Sequence, residues 1–305
     1  MELLEANKII KISNVRVLLD ELINFPSIDR KRITPLEIDS EESSLFGYAF
    51  EVLFDFYMQR NESFEVISSR YSKPLNRFVS QCEKKQGTKK EELFLFYNQN
   101  VFVWNATNNR ELAIEYSNGY KTLRLADVQN KYIESLEIIS NNIGLPEPSD
   151  ELYDALSEVA KVYPSLKKFT ISIRHLGQPN DSLRLGLRIA FLELKQKFPK
   201  SPRLVIREPR INFCNIYCRP DFIIDNALVE IKCTKELLVK EHVRQIVFYY
   251  IALTRQKVIK ASKITKILIY YPRYDFVYEE EISNLINLEN FDSSTEELEG
   301  ILEGL

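Results

Sequence analysis

The 305-residue chain carries two histidines, His175 and His242, and four cysteines, Cys82, Cys214, Cys218 and Cys233, with no Cys-x-x-Cys pair. So little histidine leaves scant material for a His-rich zinc site or a Ser-His-Asp mechanism. The cysteine spacing points to free thiols and not to a disulfide framework. No Gly-x-x-x-x-Gly-Lys or Gly-x-Gly-x-x-Gly pattern occurs, which excludes ATP-driven translocation and a dinucleotide fingerprint. There is no apolar run long enough to span a bilayer, and Met1-Glu-Leu-Leu-Glu-Ala-Asn-Lys8 lacks a basic region followed by an apolar core. The expected location is the cytoplasm, with no membrane partner. An excess of basic charge is missing too: 41 Lys and Arg stand against 44 Asp and Glu, a net charge of −3, so any surface for a polyanion must be local.

What is present is an ordinary globular composition, 45% hydrophobic and 28% charged, enough for one large core or two modest ones. The most informative stretch runs from Arg219 to Lys232, Arg-Pro-Asp-Phe-Ile-Ile-Asp-Asn-Ala-Leu-Val-Glu-Ile-Lys. Asp225-Asn226 suits the positive φ angles of a two-residue hairpin turn, and that turn places residue 221 opposite residue 230. Alternation then puts Asp221, Glu230 and Lys232 on one face and Phe222, Ile224, Val229 and Ile231 on the other, as core. Two carboxylates about 5 Å apart across a strand pair repel, and a cation between them resolves the repulsion. The bland alternative is a hairpin with one solvated face, on which Glu-x-Lys is common.

Thr234 to Thr254 has the length and spacing of a helix, with Thr234 as a cap and Val243, Val247 and Ile251 along one side. Gln245 and Tyr249 are four apart and project from adjacent turns of one face. A third acid is expected from an earlier helix. Ser44 to Tyr57 is strongly apolar and carries Glu51 and Asp55, and an acid among Phe50, Val52, Leu53 and Phe54 needs a partner. Glu193, within Leu183 to Lys195, is the other candidate. Lys232, Lys235, Lys240, Arg244, Arg255, Lys257, Lys260, Lys263 and Lys266 form a basic stretch, of which Lys235, Lys240 and Arg244 neighbour the acidic hairpin and are candidate phosphate contacts. His242 shares the Gln245 helix.

Pro-Asp, a short apolar hairpin, Glu-x-Lys and a following Gln-x-x-x-Tyr helix together resemble the PD-(D/E)xK nuclease superfamily, in its RecB-like branch. Phe46-Gly-Tyr-Ala-Phe-Glu51 resembles the Gly-x-Ala-Phe-(Asp/Glu) helix of uncharacterised bacterial proteins that carry the same hairpin and helix and continue to a strand similar to Ile267 to Tyr274. The likeness covers the Glu51 helix and Arg207 to about Glu281. It favours Glu51 over Glu193. One departure is that RecB relatives often have histidine near this helix position. The four cysteines lack the flanking arrangement of the iron–sulfur members, so no cluster is expected.

The resemblance implies an α/β fold with a restriction-endonuclease-like core, ordered helix, three strands, helix, strand, and a large mostly helical insertion. It implies Mg²⁺ or Mn²⁺ held by Glu51, Asp221, Glu230 and the Ile231 carbonyl, hard oxygen ligands suited to such ions. Lys232 would assist the attacking water, with Gln245 and Tyr249 holding the lysine or the substrate. DNA is favoured over RNA by the resemblance alone, and a protein partner in a defence or repair assembly is an expectation on the same basis. The alternative is a nuclease-fold subunit that binds nucleic acid without cleaving it.

The expected organisation is 1–60 for N-terminal helices and the first core helix, 61–200 for the insertion, 201–285 for the nuclease core and 286–305 for an acidic, peripheral tail. Helices are expected at Ile12 to Phe25, at Glu65 to Cys82 with an interruption at Pro74, and at Ala126 to Ile143, Asp150 to Tyr163 and Leu183 to Phe198. Phe94 to Trp104 and Tyr116 to Leu125 read as either type. Strands are expected at Leu204 to Tyr217, Asp221 to Ile224, Leu228 to Cys233 and Ile264 to Tyr271.

Overall fold

The computed structural model describes residues 4–26, 34–38, 43–85, 93–97, 100–105, 111–116, 119–168, 181–234, 236–237, 239–256 and 263–305. The chain forms two compact units: Met1–Leu36 joined with Pro202–Leu305, and Glu37–Ser201 between them. Both are built from helices and sheets, so the α/β expectation holds at that level.

The first unit opens with β1 (Leu4–Glu5), α1 (Ala6–Ile9) and α2 (Ser13–Leu22). Burial of Val15, Leu18, Leu19 and Leu22 in α2 follows the i, i+3, i+4, i+7 stripe of a helix docked on a core.

The second unit begins with α3 (Ser43–Met58), the helix that carries Glu51, and α4 (Phe64–Lys85). Pro74 lies inside α4 without ending it, contrary to the expected interruption. Tyr71 and Leu75 flank it and are fully buried, so packing on both sides holds the turn in which proline removes a donor. An antiparallel meander follows: β2 (Leu93–Tyr97), β3 (Asn100–Asn105), β4 (Glu111–Tyr116) and β5 (Gly119–Arg124), in that spatial order. Both stretches that read as either type are therefore strand for most of their length. Three helices complete the unit: α5 (Leu125–Asn142), α6 (Asp150–Lys168) and α7 (Asp181–Lys197), all packed with α3. The Glu51 helix thus clusters with the middle of the chain and not with the hairpin.

The chain returns to the first unit through β6 (Val205–Arg207), β7 (Ile211–Phe213), β8 (Ile216–Cys218), β9 (Phe222–Ile224) and β10 (Ala227–Ile231). The single strand expected over Leu204 to Tyr217 is three. Glu208 breaks it once with φ 44°, and Cys214 and Asn215, at φ 47° and 61°, break it again. The second break is a two-residue hairpin turn of the kind that needs positive φ at both positions. After β10 come α8 (Lys240–Arg255), β11 (Lys266–Tyr271), β12 (Phe276–Glu281), α9 (Ile282–Leu285) and α10 (Phe291–Glu303).

Five of these strands form one mixed sheet in the order β12-β11-β10-β9-β6, and β1-β8-β7 form a second. β6 runs antiparallel to β9 and β9 to β10, and α8 carries the chain over to β11, which lies parallel to β10. A parallel pair requires such a crossover. Helix α8 is buried nearly all round, with Val243, Ile246, Val247, Phe248, Ile251 and Leu253 at 1% exposure or less. Each such side chain stabilises the fold by about 1.5–3 kcal/mol relative to exposure. The core joins α2, α8 and α10 to both sheets. The acidic end is not peripheral: α10 packs on α2, and Leu298 and Leu302 are core residues. No helix of the described residues is long and apolar enough to cross a membrane.

Candidate functional site

The hairpin has the register that its sequence implies. Ile224 faces Ala227, Ile223 faces Leu228 and Phe222 faces Val229, so the next pair outward is Asp221 with Glu230. Asp225 alone of the two turn residues takes positive φ, at 51°. Its carboxylate accepts the N–H groups of Arg203 and Leu204 at 2.8 and 3.0 Å, while the Asn226 amide donates to Thr265 at 2.7 Å. Such ties fix the turn and with it the register, since a slip of one residue would swap the faces. Contrary to the one-sided pattern expected, both faces of the hairpin are buried, because β10 is a central strand: Ile223 and Leu228 are as enclosed as Phe222 and Val229.

At the open end of the hairpin the polar groups converge. Asp221 Oδ2 accepts the Ile231 N–H at 2.7 Å, and Glu230 Oε2 accepts the Asp221 N–H at 3.3 Å. Lys232 Nζ donates to Glu230 Oε1 at 2.7 Å and to Gln245 Oε1 at 2.8 Å. Gln245 Nε2 donates to Glu230 Oε1 at 3.1 Å and to the Tyr249 hydroxyl oxygen at 2.8 Å. Glu230, Gln245 and Tyr249 are each less than 7% exposed, so Gln245 is an interior residue and not a surface glutamine. A carboxylate this deep needs the ammonium and amide that it has. Burial first, and then the Glu230 charge, drive the Tyr249 pKa far above its ordinary value, so its hydroxyl stays protonated.

His242 stands one turn before Gln245 on α8, and its Nδ1 lies 2.8 Å from the Tyr271 hydroxyl oxygen. Burial, with the Lys232 charge adding to it, lowers its pKa to about 4. The imidazole is neutral near pH 7. Helix α8 begins later than the sequence spacing implies, at Lys240: Val239 holds the cap position without a side-chain bond, and the Thr234 hydroxyl donates to the Glu236 carbonyl instead.

Two expected phosphate contacts have other work. Arg244 is 5% exposed and makes a two-point ion pair with Asp20, 2.6 and 2.8 Å, beside the Phe25 ring. A buried, bidentate guanidinium is not free for a phosphate, so Arg244 joins α8 to α2. Lys240 Nζ lies 4.6 Å from the centre of the same ring. Lys235 lies outside the described residues.

Glu51 and Glu193 lie on α3 and α7 of the second unit and are both half-buried. The fully buried acid of α3 is Asp55, and its partners are protein groups: the Tyr71 hydroxyl at 2.7 Å, Gln59, and Arg70 at 3.6 Å. The apolar surroundings that suggested a metal for this helix therefore enclose a different carboxylate, already compensated. No group of three or more His, Cys, Asp or Glu side chains arranged to hold a metal occurs among the described residues. The donors that the first unit does bring together, two carboxylates and the backbone at Ile231, are hard oxygens that fit Mg²⁺ or Mn²⁺ in the manner of sites completed by water.

Cys214, Cys218 and Cys233 are free thiols, and burial pushes Cys218 up to about 12, so it is an inert core residue. The segment that sequence reasoning missed is Arg207 to Arg219. Glu208 donates its N–H to the Asp221 carbonyl at 2.7 Å, and its carboxylate pairs with Arg219. Positive φ at a glutamate before proline leaves no signature in composition or spacing. Neither a protein-family model, a curated protein nor a solved structure matches this chain.

Proposed function

We propose that the chain is a metal-dependent deoxyribonuclease of PD-(D/E)xK type, with the first unit as its restriction-endonuclease-like core. The observation that carries this reading is the assembly of Asp221, Glu230 and Lys232 at the end of β10, with Gln245 reaching both Glu230 and Lys232 from α8. The three antiparallel strands, crossover helix and parallel strand support it, as does the position of the site at the carboxyl end of a strand in the parallel pair.

Asp221, Glu230 and the Ile231 carbonyl would hold Mg²⁺ or Mn²⁺. A bound ion of this kind supplies a water of lowered pKa and neutralises charge on the phosphate. The protein's own groups do the rest. Glu230 and Gln245 fix the Lys232 ammonium from two sides, so that it orients the attacking water and stabilises charge developing on the phosphate. Tyr249, kept protonated, anchors Gln245. Hydrolysis adds hydroxide to phosphorus and gives the proton to the departing sugar oxygen.

Cleavage of linear, circular and single-stranded DNA by purified protein in Mg²⁺ and Mn²⁺, alongside Asp221→Ala and Lys232→Ala, tests the reading. Loss in both variants supports it; equal cleavage by Asp221→Ala refutes it. A second reading, a nucleic-acid-binding subunit of a defence or repair assembly, is favoured by one fact, the Lys232–Glu230 ion pair that already neutralises the glutamate. DNA binding without cleavage would select it.

A further inference from the structure

Between residues 203 and 219 the chain carries Arg203, Arg207, Arg210 and Arg219 against one acid, Glu208, in a protein whose net charge is −3. The pairing of β6 with β9 separates these arginines. Val205 faces Ile224 and Arg207 faces Phe222, so Glu208 falls opposite Asp221 while Arg203 falls beside the turn at Asp225. Glu208 is held in the left-handed region at φ 44°, immediately before Pro209, a conformation costly for a residue with a side chain. From there its N–H bonds the Asp221 carbonyl and its carboxylate takes Arg219, with Arg207 also within 3.8 Å. The Arg207 side chain is 6% exposed, but that of Arg219 is 38% exposed. Arg210 is exposed and makes no ion pair among the described residues; two residues from Glu208, its Cα is within about 7 Å of that residue.

We infer that Arg219, held by Glu208, and Arg210, two residues from Glu208 along the chain, are the contacts that hold the backbone of duplex DNA at the candidate site. The inference rests on the nuclease reading for its substrate, and it replaces Arg244, which is spent on Asp20. The physical basis is charge complementarity: the partly exposed Arg219, paired with Glu208, and the exposed Arg210 add basic surface on the segment bonded to Asp221, beyond the Lys232 ammonium that already meets Glu230. Glu208 is a positioning residue: its N–H is tied to the Asp221 carbonyl while its carboxylate holds Arg219.

The test is fluorescence anisotropy of a labelled duplex in EDTA, which separates binding from hydrolysis, across a salt series. Wild type, Arg210→Ala, Arg219→Ala, the double variant and Arg203→Ala are compared. The expected result is weaker binding by about tenfold for each single variant, more for the double, with a salt dependence shallower by about 0.9 per lost contact. Arg203→Ala, the same charge change at the other end of β6, should bind within about twofold of wild type, as a charge that touches no phosphate does. Equal losses for Arg203→Ala and the other two would overturn the inference in favour of a diffuse field, and so would unchanged binding in the double variant. Wild type that binds as described but cleaves in neither metal would remove the nuclease reading and leave this surface standing. Wild type that cleaves while the double variant binds normally would do the reverse.

Discussion

Asp55 and Glu230 are both carboxylates in the interior of their units, 0% and 4% exposed, yet they sit in opposite kinds of surroundings. Asp55 is enclosed by Tyr71, Gln59 and Arg70 on neighbouring turns and helices. Glu230 lies at the mouth of a strand, faces a second carboxylate across the hairpin and is shared by a lysine and a glutamine. Burial of an acid therefore says nothing about chemistry by itself. The pairing of like charges, which costs stability unless a cation is there, is what sets the proposed site apart from the Asp55 network.

The largest expected effect separates the two acids by activity. Asp221→Ala should lower metal-dependent cleavage by about a thousandfold or more while leaving the circular dichroism spectrum intact, and Asp55→Ala should leave the turnover of the folded fraction unchanged. Next comes stability. Asp55→Ala strands the Tyr71 hydroxyl and the Arg70 charge, and urea denaturation should show a loss of about 3 kcal/mol; a loss below about 1 kcal/mol would mean that this network adds little. Metal gives the reciprocal contrast: at a hundred times its Kd, Mn²⁺ should stabilise the wild type by about 2.7 kcal/mol, and Asp221→Ala should abolish that gain.

The smallest effect concerns pH. The His242 pKa is about 4 in the folded protein and near 6.5 when unfolded, so only the unfolded state takes up a proton between those values. Stability contributed by the neutral ring is complete above about pH 6.5 and is lost as pH falls toward 4. With partial exposure discounted, the loss is on the order of 1–2 kcal/mol. His242→Gln should flatten that part of the stability profile, and an unchanged slope would put its origin elsewhere.

How much of this was legible in the sequence depends on whether a feature is set by local chemistry or by what packs against it. The Asp221–Glu230 pair followed from a two-residue turn and the two-residue strand period, and Gln245 and Tyr249 from helical spacing, because these are local rules. Helix α8 starts six residues beyond Thr234, because the Thr234 hydroxyl is spent on the Glu236 carbonyl and the helix has no side-chain cap to mark it. The break at Glu208 was invisible because its left-handed backbone is held by Asp221 and Arg219, both distant in sequence. The role of Arg244 was equally hidden: its partner, Asp20, is more than two hundred residues away. The meander of β2 to β5 could not be told from helix by apolar runs alone, and the helix of Glu51 belongs to the middle unit because it packs on α5, α6 and α7.

The most direct test of the central claim is calorimetric titration of Mn²⁺ into the full chain, with wild type, Asp221→Asn and Asp55→Asn compared. Saturable binding in wild type and Asp55→Asn, lost in Asp221→Asn, is the expected result. No binding in wild type, or the same isotherm from all three, would contradict the assignment of a metal to the Asp221–Glu230 pair.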